Sequence, residues 1–404
     1  MRAAAPHEGF TIMTGTQEKE TPMHTTPENR IRFAEDEYAD MPVACIKVVG
    51  VGGGGVNAVN NMLDAGVSGV EFIAVNTDAK SLGTSRAGSK VQIYTQRRKG
   101  LGAGGDPAVG AQAAQEHEGV LHDHLQGADM VFVATGLGGG TGTGAAPVIA
   151  ALAAQLDALV VGVVTKPFAH EGAGRMLKAE AGLEELRKVA DAVIVVPNER
   201  IISQMSPSAP LREGFVMADD ILRQAVQGVT DLITRPGYVN LDFQDVRVAL
   251  KGRGLAVMGM GSARGPARGT NAALAAVRNP LLDQVDLQRA ATLLINLTGT
   301  VTNEDVSAVR AVLEGASPAE QKIGYCFDES LGDELRVTVI AAGFDQAAPA
   351  APRVMAEPAL RRFTPPELTL DDGLMKGNVP FEKVHGTTQA PRFEIPSFFK
   401  RGRV

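Results

Sequence analysis

Short apolar runs alternate with longer stretches of helical period through the first half of the chain. Cys45–Val49, Val70–Asn76, Asp129–Ala134, Ala158–Thr165 and Ala192–Val196 each hold the apolar residues of a buried strand. Helical segments follow them, ending near Leu63, Leu156 and Lys188. This alternation predicts an α/β fold with a doubly wound, mostly parallel sheet whose ligand lies beyond the carboxyl ends of the strands. Leu211–Thr234 is the longest helical stretch. Phe215, Ile221, Leu222, Ala225, Val229, Leu232 and Ile233 spread too widely for one surface stripe, so a helix buried between two lobes is expected. From Val246 to Phe344 the pattern changes to strands such as Leu255–Gly259, Ala291–Leu297 and Leu335–Ala342 among helices, a second, smaller α/β domain. Residues 1–41 are polar and aperiodic, and a Pro- and Ala-rich stretch follows Asp345, so both are expected to be disordered. The resulting division is an extension over 1–41, a nucleotide-binding domain with the central helix over 42–234, a second domain over 235–344, a linker over 345–390 and a terminal peptide over 391–404.

The chemistry centres on glycine. Gly136–Pro147 (GLGGGTGTGAAP) lies between the strand ending at Ala134 and an alanine-rich segment in which Pro147 suits the first turn of a helix. Strand, glycine loop and helix start together present unpaired N–H groups and a helix dipole to an anion. A plain flexible turn is the alternative, but five glycines in Gly138–Gly144 cost much conformational entropy unless a ligand orders them. The chain has no Gly-Lys dipeptide, so phosphate would be held by backbone and hydroxyl groups rather than by a Walker lysine. Gly50, Gly52 and Gly55 satisfy G-x-G-x-x-G between a strand and a helix, and Asp78 follows the next strand. On that fingerprint alone an NAD-dependent oxidoreductase stays open. A third loop, Gly100–Pro107, shifts the reading toward a polyphosphate enclosed by three loops, since a dinucleotide needs only one.

Composition narrows the class. The 404 residues carry a net charge of −7, 4% aromatic residues and no Trp, which disfavours a nucleic-acid surface. Two cysteines, Cys45 and Cys326, make neither a disulfide framework nor a metal cluster and suit a reducing cytosol. No apolar run has the length of a membrane span, and the polar N-terminus lacks the apolar core of a secretory signal. Met13, Met23 and Met41 are alternative starts.

Several further residues stand where they can act. Glu171 and Arg175 follow the strand ending at Thr165; they suit ribose and phosphate, or form a solvated charge pair. Phe215 and Asp219 lie one helical turn apart, a ring to stack on a base and a carboxylate to accept from guanine N1–H and N2–H₂, or else a core Phe and a solvated Asp. Asn240, Asp242 and Asp245 cluster where a new unit starts, and a helix N-cap with an acidic first turn explains them equally well. At the end of the chain Phe393, Ile395, Phe398 and Phe399 stand among basic residues, as in a docking peptide.

GGGTGTG at Gly138–Gly144 resembles the signature of the tubulin and FtsZ family of GTPases. IKVVGVGGGGVNAVN, EFIAVNTDA, GLGAG, GADMVFVATGLGGGTGTGAAPVIA, GVVTKPF, DLITRPGYVNLDFQDVR and LGDELRVTVIAAGFD extend the likeness from about Ile46 to Phe344 in the order of the bacterial cell-division branch. The resemblance implies a GTPase that polymerises head to tail into filaments of the division ring, with GTP or GDP and Mg²⁺ at each junction. It implies phosphate contacts from Gly53, Gly54, Asn57, Ala103, Gly104, Gly138, Gly139, Gly140, Thr141, Gly142 and Thr143. Glu171 and Arg175 would meet the ribose and its surroundings, Asn57, Asn198, Phe215 and Asp219 the base. Asn240, Asp242 and Asp245 would complete the next subunit's site and catalyse hydrolysis there. No side chain is assigned as a metal ligand. A filament protein that binds nucleotide without hydrolysing it is the alternative. The implied partners are copies of the chain and, through Arg392–Val404, division and membrane-tethering proteins at a cytoplasmic mid-cell site, with no nucleic acid and no insertion into the membrane. Three departures stand out: Gly105 for a usual Ala, His170 for a usual Phe, which removes an apolar contact, and Glu199 for a usual Asp.

Overall fold

The computed structural model describes residues 44–96, 100–202, 205–206, 208–234, 241–279, 281–282, 285–314 and 320–344. All belong to the unit Met1–Pro352; the second unit, Arg353–Val404, lies outside them. The expected N-terminal extension, linker and terminal peptide, and Asn240, therefore lie outside the described residues.

Ten strands form one sheet among these residues. They are β1 (Ile46–Val51), β2 (Glu71–Asn76), β3 (Ser89–Gln92), β4 (Met130–Gly136), β5 (Leu159–Lys166), β6 (Ala192–Pro197), β7 (Gly254–Ala263), β8 (Thr292–Thr298), β9 (Glu320–Cys326) and β10 (Leu335–Ala342). Their order is β3-β2-β1-β4-β5-β6-β7-β10-β8-β9. β1 to β6 pair in parallel throughout. β10 is antiparallel to both β7 and β8, which makes the sheet mixed in the later part of the chain.

Successive residues of the parallel strands feed different cores, as strand geometry requires. Val48, Phe132 and Val161 pack with Val56, Val59 and Met62 of the helix Gly52–Asp64 and with Leu222, Val226 and Val229 of the helix Leu211–Thr234. Val49, Val133 and Val160 face the other way, against Ile149 and Ala153 of the helix Thr141–Gln155 and Leu183 and Leu186 of the helix Ala173–Val189. Both faces are covered, so the strands read as continuous apolar runs rather than as an alternation. A third core joins β8 and β10 to the helices Arg268–Val277 and Asn303–Glu314.

The long helix spans Leu211–Thr234, as its pattern predicts, and it packs on both parts of the sheet. Leu232 closes on Gly324 of β9, and a Cβ at Gly228 would stand 2.9 Å from Thr338 of β10. Its buried stripe is narrower than the sequence suggests, because Phe215 is 43% exposed. Two features were not legible. The later strands continue the first sheet through Ala192↔Gly254, Val193↔Leu255 and Ile194↔Ala256, so the second α/β region has no separate sheet. Pro147 also lies inside the helix Thr141–Gln155 rather than in its first turn. That helix starts within the glycine run because Gly142 and Gly144 are needed for packing: a Cβ at Gly144 would run into Pro107 O, and one at Gly142 into Thr135 Oγ1.

Candidate functional site

The carboxyl ends of β1, β4, β5 and β6 open into a cleft of about 360 Å³, within the size range of small-ligand sites. Gly53, Gly54 and Asn57 enter from the start of the helix Gly52–Asp64 that follows β1, Gly139 and Gly140 from the turn after β4, and Thr141 and Gly142 from the start of the helix Thr141–Gln155. Glu171 and Arg175 come from the segment after β5, Asn198 from the end of β6, and Phe215 and Asp219 from the first half of the long helix.

The two glycine turns are back to back. Gly52 has φ +71°, and a Cβ there would stand 2.8 Å from the amide nitrogen of Gly142, so no other residue fits without displacing the second loop. Thr135 Oγ1 donates to Val51 O at 2.9 Å and ties the two strand ends below the loops. The helices Gly52–Asp64 and Thr141–Gln155 both begin at this cleft, neither has a side-chain N-cap bond, and neither has an acidic residue in its first turn. Two helix N-termini with uncapped amides therefore converge on one space, an arrangement suited to a polyanion.

The opposite end of the cleft is different. Asn198 is buried, and its Oδ1 has no hydrogen-bond partner among the described residues. Such an acceptor is costly to bury alone and fits a ligand that brings an N–H. Phe215 stands edge-on to Phe168, with ring centroids 5.0 Å apart. Asp219 faces the same space with no ion-pair partner among the described residues, and burial pushes its carboxyl up to about 7. An aromatic edge, an orphaned acceptor and a desolvated carboxyl fit a nitrogenous base.

Not every expected residue lines the cleft. Thr143 is buried and its hydroxyl accepts from the Gly138 amide at 2.8 Å, which closes the loop from beneath; neither residue lines the opening. Ala103 is buried under Gly140, and Gly104 is exposed on the adjacent turn. Arg175 donates to Glu171, so these two form a charge pair within the chain while both line the cleft. Thr165, at the carboxyl end of β5, lines the cleft without having been assigned to the site from the sequence; its strand-end position was the available signal.

The departures also have definite places. Gly105 has φ +74°, a conformation an alanine adopts only with strain. His170 stacks on Phe168 at 5.1 Å and an interplanar angle of 15°, so a ring contact exists where loss of an apolar one was expected. Glu199 accepts from the Ala169 amide and holds the loop after β5.

Asp242 and Asp245 do not line this cleft. Asp242 is the N-cap of the helix Phe243–Leu250, its Oδ1 accepting from the Asp245 amide at 2.7 Å, which is the capping arrangement the sequence allowed. Asp245 Oδ1 is 2.8 Å from Lys322 Nζ, and this bond holds the Asp245 carboxyl below its usual range.

A doubly wound sheet with paired glycine turns and two helix N-termini at one cleft has the features of a nucleotide-binding protein that holds phosphate by backbone amides rather than by a Walker lysine. Residues 45–206 match the model of the Tubulin/FtsZ family GTPase domain, and residues 254–345 that of the FtsZ family C-terminal domain. A solved FtsZ dimer, empty, from M. jannaschii is 39% identical, covering 76% of this chain and 90% of that one at a TM-score of 0.72. CetZ2 from Haloferax volcanii, in a GTPγS-bound protofilament, shares the fold at 24% identity, covering 74% and 92% at a TM-score of 0.64. The chain belongs to the FtsZ family within the tubulin/FtsZ GTPases, and it is a GTPase of a filament-forming family. The oxidoreductase reading of the Gly50–Gly55 fingerprint gives way to this.

Proposed function

We propose that this chain binds GTP in the cleft described above, assembles head to tail, and hydrolyses the nucleotide at each junction with an acidic loop supplied by the neighbouring subunit. The observation that carries the reading is the convergence of two uncapped helix N-termini on a cleft whose other end holds Asn198, Phe215 and Asp219. In this reading the amides of Gly53, Gly54, Gly139, Gly140 and Gly142, with the Asn57 amide and the Thr141 hydroxyl, hold the phosphates. Ala103, Gly104, Gly138 and Thr143 shape the turns around them. Glu171 and Arg175 separate to meet the ribose and its neighbouring groups. Asn198 and Asp219 accept from the base while Phe215 packs on it. Magnesium bound with the phosphates would offset their charge; among the described residues no group of three His, Cys, Asp or Glu side chains stands ready for a metal.

Hydrolysis needs a water held in line with the terminal phosphate. The amides and hydroxyls of the cleft stabilise charge but do not by themselves orient a water, and in this reading Asp242 and Asp245 of the next subunit, with Asn240 beside them, hold it. A heterologous contact of this kind generates filaments, consistent with a division ring at a cytoplasmic mid-cell site. The test sets GTP, GDP and NAD side by side in light scattering and follows turnover against protein concentration. GTP alone is expected to raise scattering, and specific activity should climb above a threshold concentration. Activity per subunit that stays flat with concentration overturns the shared site.

Arg392–Val404 is proposed as a tethered peptide that folds on division and membrane-tethering proteins. Deleting it should leave GTP turnover and assembly unchanged while abolishing capture of those partners; lost turnover in the truncated chain counts against a separate docking peptide.

A further inference from the structure

Lys322 brings a positive charge to the acidic loop from a distant part of the chain. It lies in β9, 77 positions from Asp245, and its Nζ stands 2.8 Å from Asp245 Oδ1. Asp245 in turn donates its amide to Asp242 Oδ1, so the lysine, both carboxylates and the start of the helix Phe243–Leu250 form one connected unit. The contact raises Lys322 above its ordinary range, chiefly through the hydrogen bond to Asp245, with Glu320 and Asp242 adding negative field. The two side chains are 29% and 35% exposed, and an ion pair this open to solvent adds little to fold stability.

Charge makes the pair significant. An acidic loop that completes a nucleotide site must approach a polyphosphate of its own sign. Two carboxylates without a counter-ion are repelled, and the repulsion grows as a junction excludes water and lowers the local dielectric. An ammonium fixed against one of them offsets that repulsion and restricts its side-chain orientation. We propose that Lys322 is a positioning residue for hydrolysis in the neighbouring subunit: its ammonium, 2.8 Å from Asp245 Oδ1, orients that carboxylate and offsets its charge so that the acidic loop can enter the partner's phosphate site. This rests on the shared-site reading above.

The experiment compares Lys322→Met, Lys322→Arg, Asp245→Asn and the Lys322→Met/Asp245→Asn double variant in the full-length chain. Subunit GTP binding, polymer mass, and kcat and KM for GTP turnover are measured for each. Lys322→Met is expected to bind GTP and assemble as the parent does, with KM unchanged and kcat lowered by up to about 10²-fold, the size of effect a displaced catalytic group has. Lys322→Arg should restore most of the rate, and the double variant should be no slower than Asp245→Asn alone. If Asp245→Asn turns over at the parental rate, the shared-site reading itself is wrong. If Asp245→Asn is slow but Lys322→Met is as fast as the parent, or the two losses multiply in the double variant, the role of Lys322 alone is overturned. Failure of Lys322→Met to assemble, unrepaired by Lys322→Arg, also overturns it, because the lysine then serves packing at the junction.

Discussion

Asp245→Ala protein is expected to bind GTP as the parent does, to assemble, and to hydrolyse about 10²–10⁴-fold more slowly, the usual span for loss of a positioned acid–base group. The distance between the two halves of the site is the reason. Asp219 lines the nucleotide cleft, whereas Asp242 and Asp245 follow the end of the same long helix. At 1.5 Å per residue, ~22 Å of helix separates Asp219 from Thr234, and Asp245 pairs with Lys322, two residues from the Gly324 on which Leu232 packs, so the proposed mechanism draws Asp245 from a neighbouring subunit. Binding should survive because none of the cleft-lining residues changes. Folding should survive because the lost Asp245–Lys322 pair is largely solvent-exposed, which limits its contribution to ~0–1 kcal/mol. The Asp242→Ala protein should also turn over slowly, and it additionally loses the N-cap of Phe243–Leu250, a cost of about 1 kcal/mol in stability. Mixed with the parent, either variant should depress activity beyond simple dilution, since in the proposed shared site each junction draws on two subunits. Undiminished turnover by purified Asp245→Ala protein is the result that defeats the mechanism.

Asp219→Ala should weaken guanosine binding about 10²–10⁴-fold. In the proposed site guanine N1–H and N2–H₂ donate two bonds to the carboxylate, and bonds to a charged group contribute ~1.5–3 kcal/mol each. The same carboxyl gives the parent a pH dependence whose sign is set by burial. Desolvation pushes the Asp219 carboxyl up to about 7 in the protein alone, whereas a guanine donating both N–H groups to it would favour the ionised form. Binding therefore lowers the carboxyl's pKa and releases a proton at and below neutral pH. Affinity should be full above about pH 8 and fall as pH drops through 7, to roughly tenfold weaker at pH 6. Guanosine is the appropriate ligand because it lacks the titrating phosphates of GTP. Calorimetry in buffers of different ionisation enthalpy reads the proton release directly. A flat affinity between pH 6 and 8, or tight guanosine binding by the Asp219→Ala protein, rules out this carboxylate as the partner of the base.

Much of the fold is visible before any coordinates, because burial on both faces leaves a plain mark on a strand. Val131–Val133 and Val160–Val164 are apolar at consecutive positions, and each lies between helical stretches, which is the signature of a covered parallel sheet. The long helix is bounded correctly at Leu211 and Thr234 for a similar reason, its apolar period running unbroken until Pro236. The glycine loops are legible as a group, since backbone approach to an anion demands them locally. What each glycine does is not: Gly52 permits a left-handed turn, whereas Gly142 and Gly144 make room for Thr135 and Pro107, contacts that exist only once distant segments pack.

The sequence by itself determined the alternation of strands and helices, the three glycine turns and the family, because these depend on neighbours a few residues apart. Only the tertiary structure decided which groups share the cleft. Asn57, Asn198 and Asp219 lie on three separate elements and meet because parallel strands place their carboxyl ends at one edge of the sheet. Likewise β6 joins β7 through three residue pairs, and Lys322 reaches Asp245 across 77 positions. Such contacts leave no periodic trace, since a side chain's local pattern records whether it is buried and not what it is buried against.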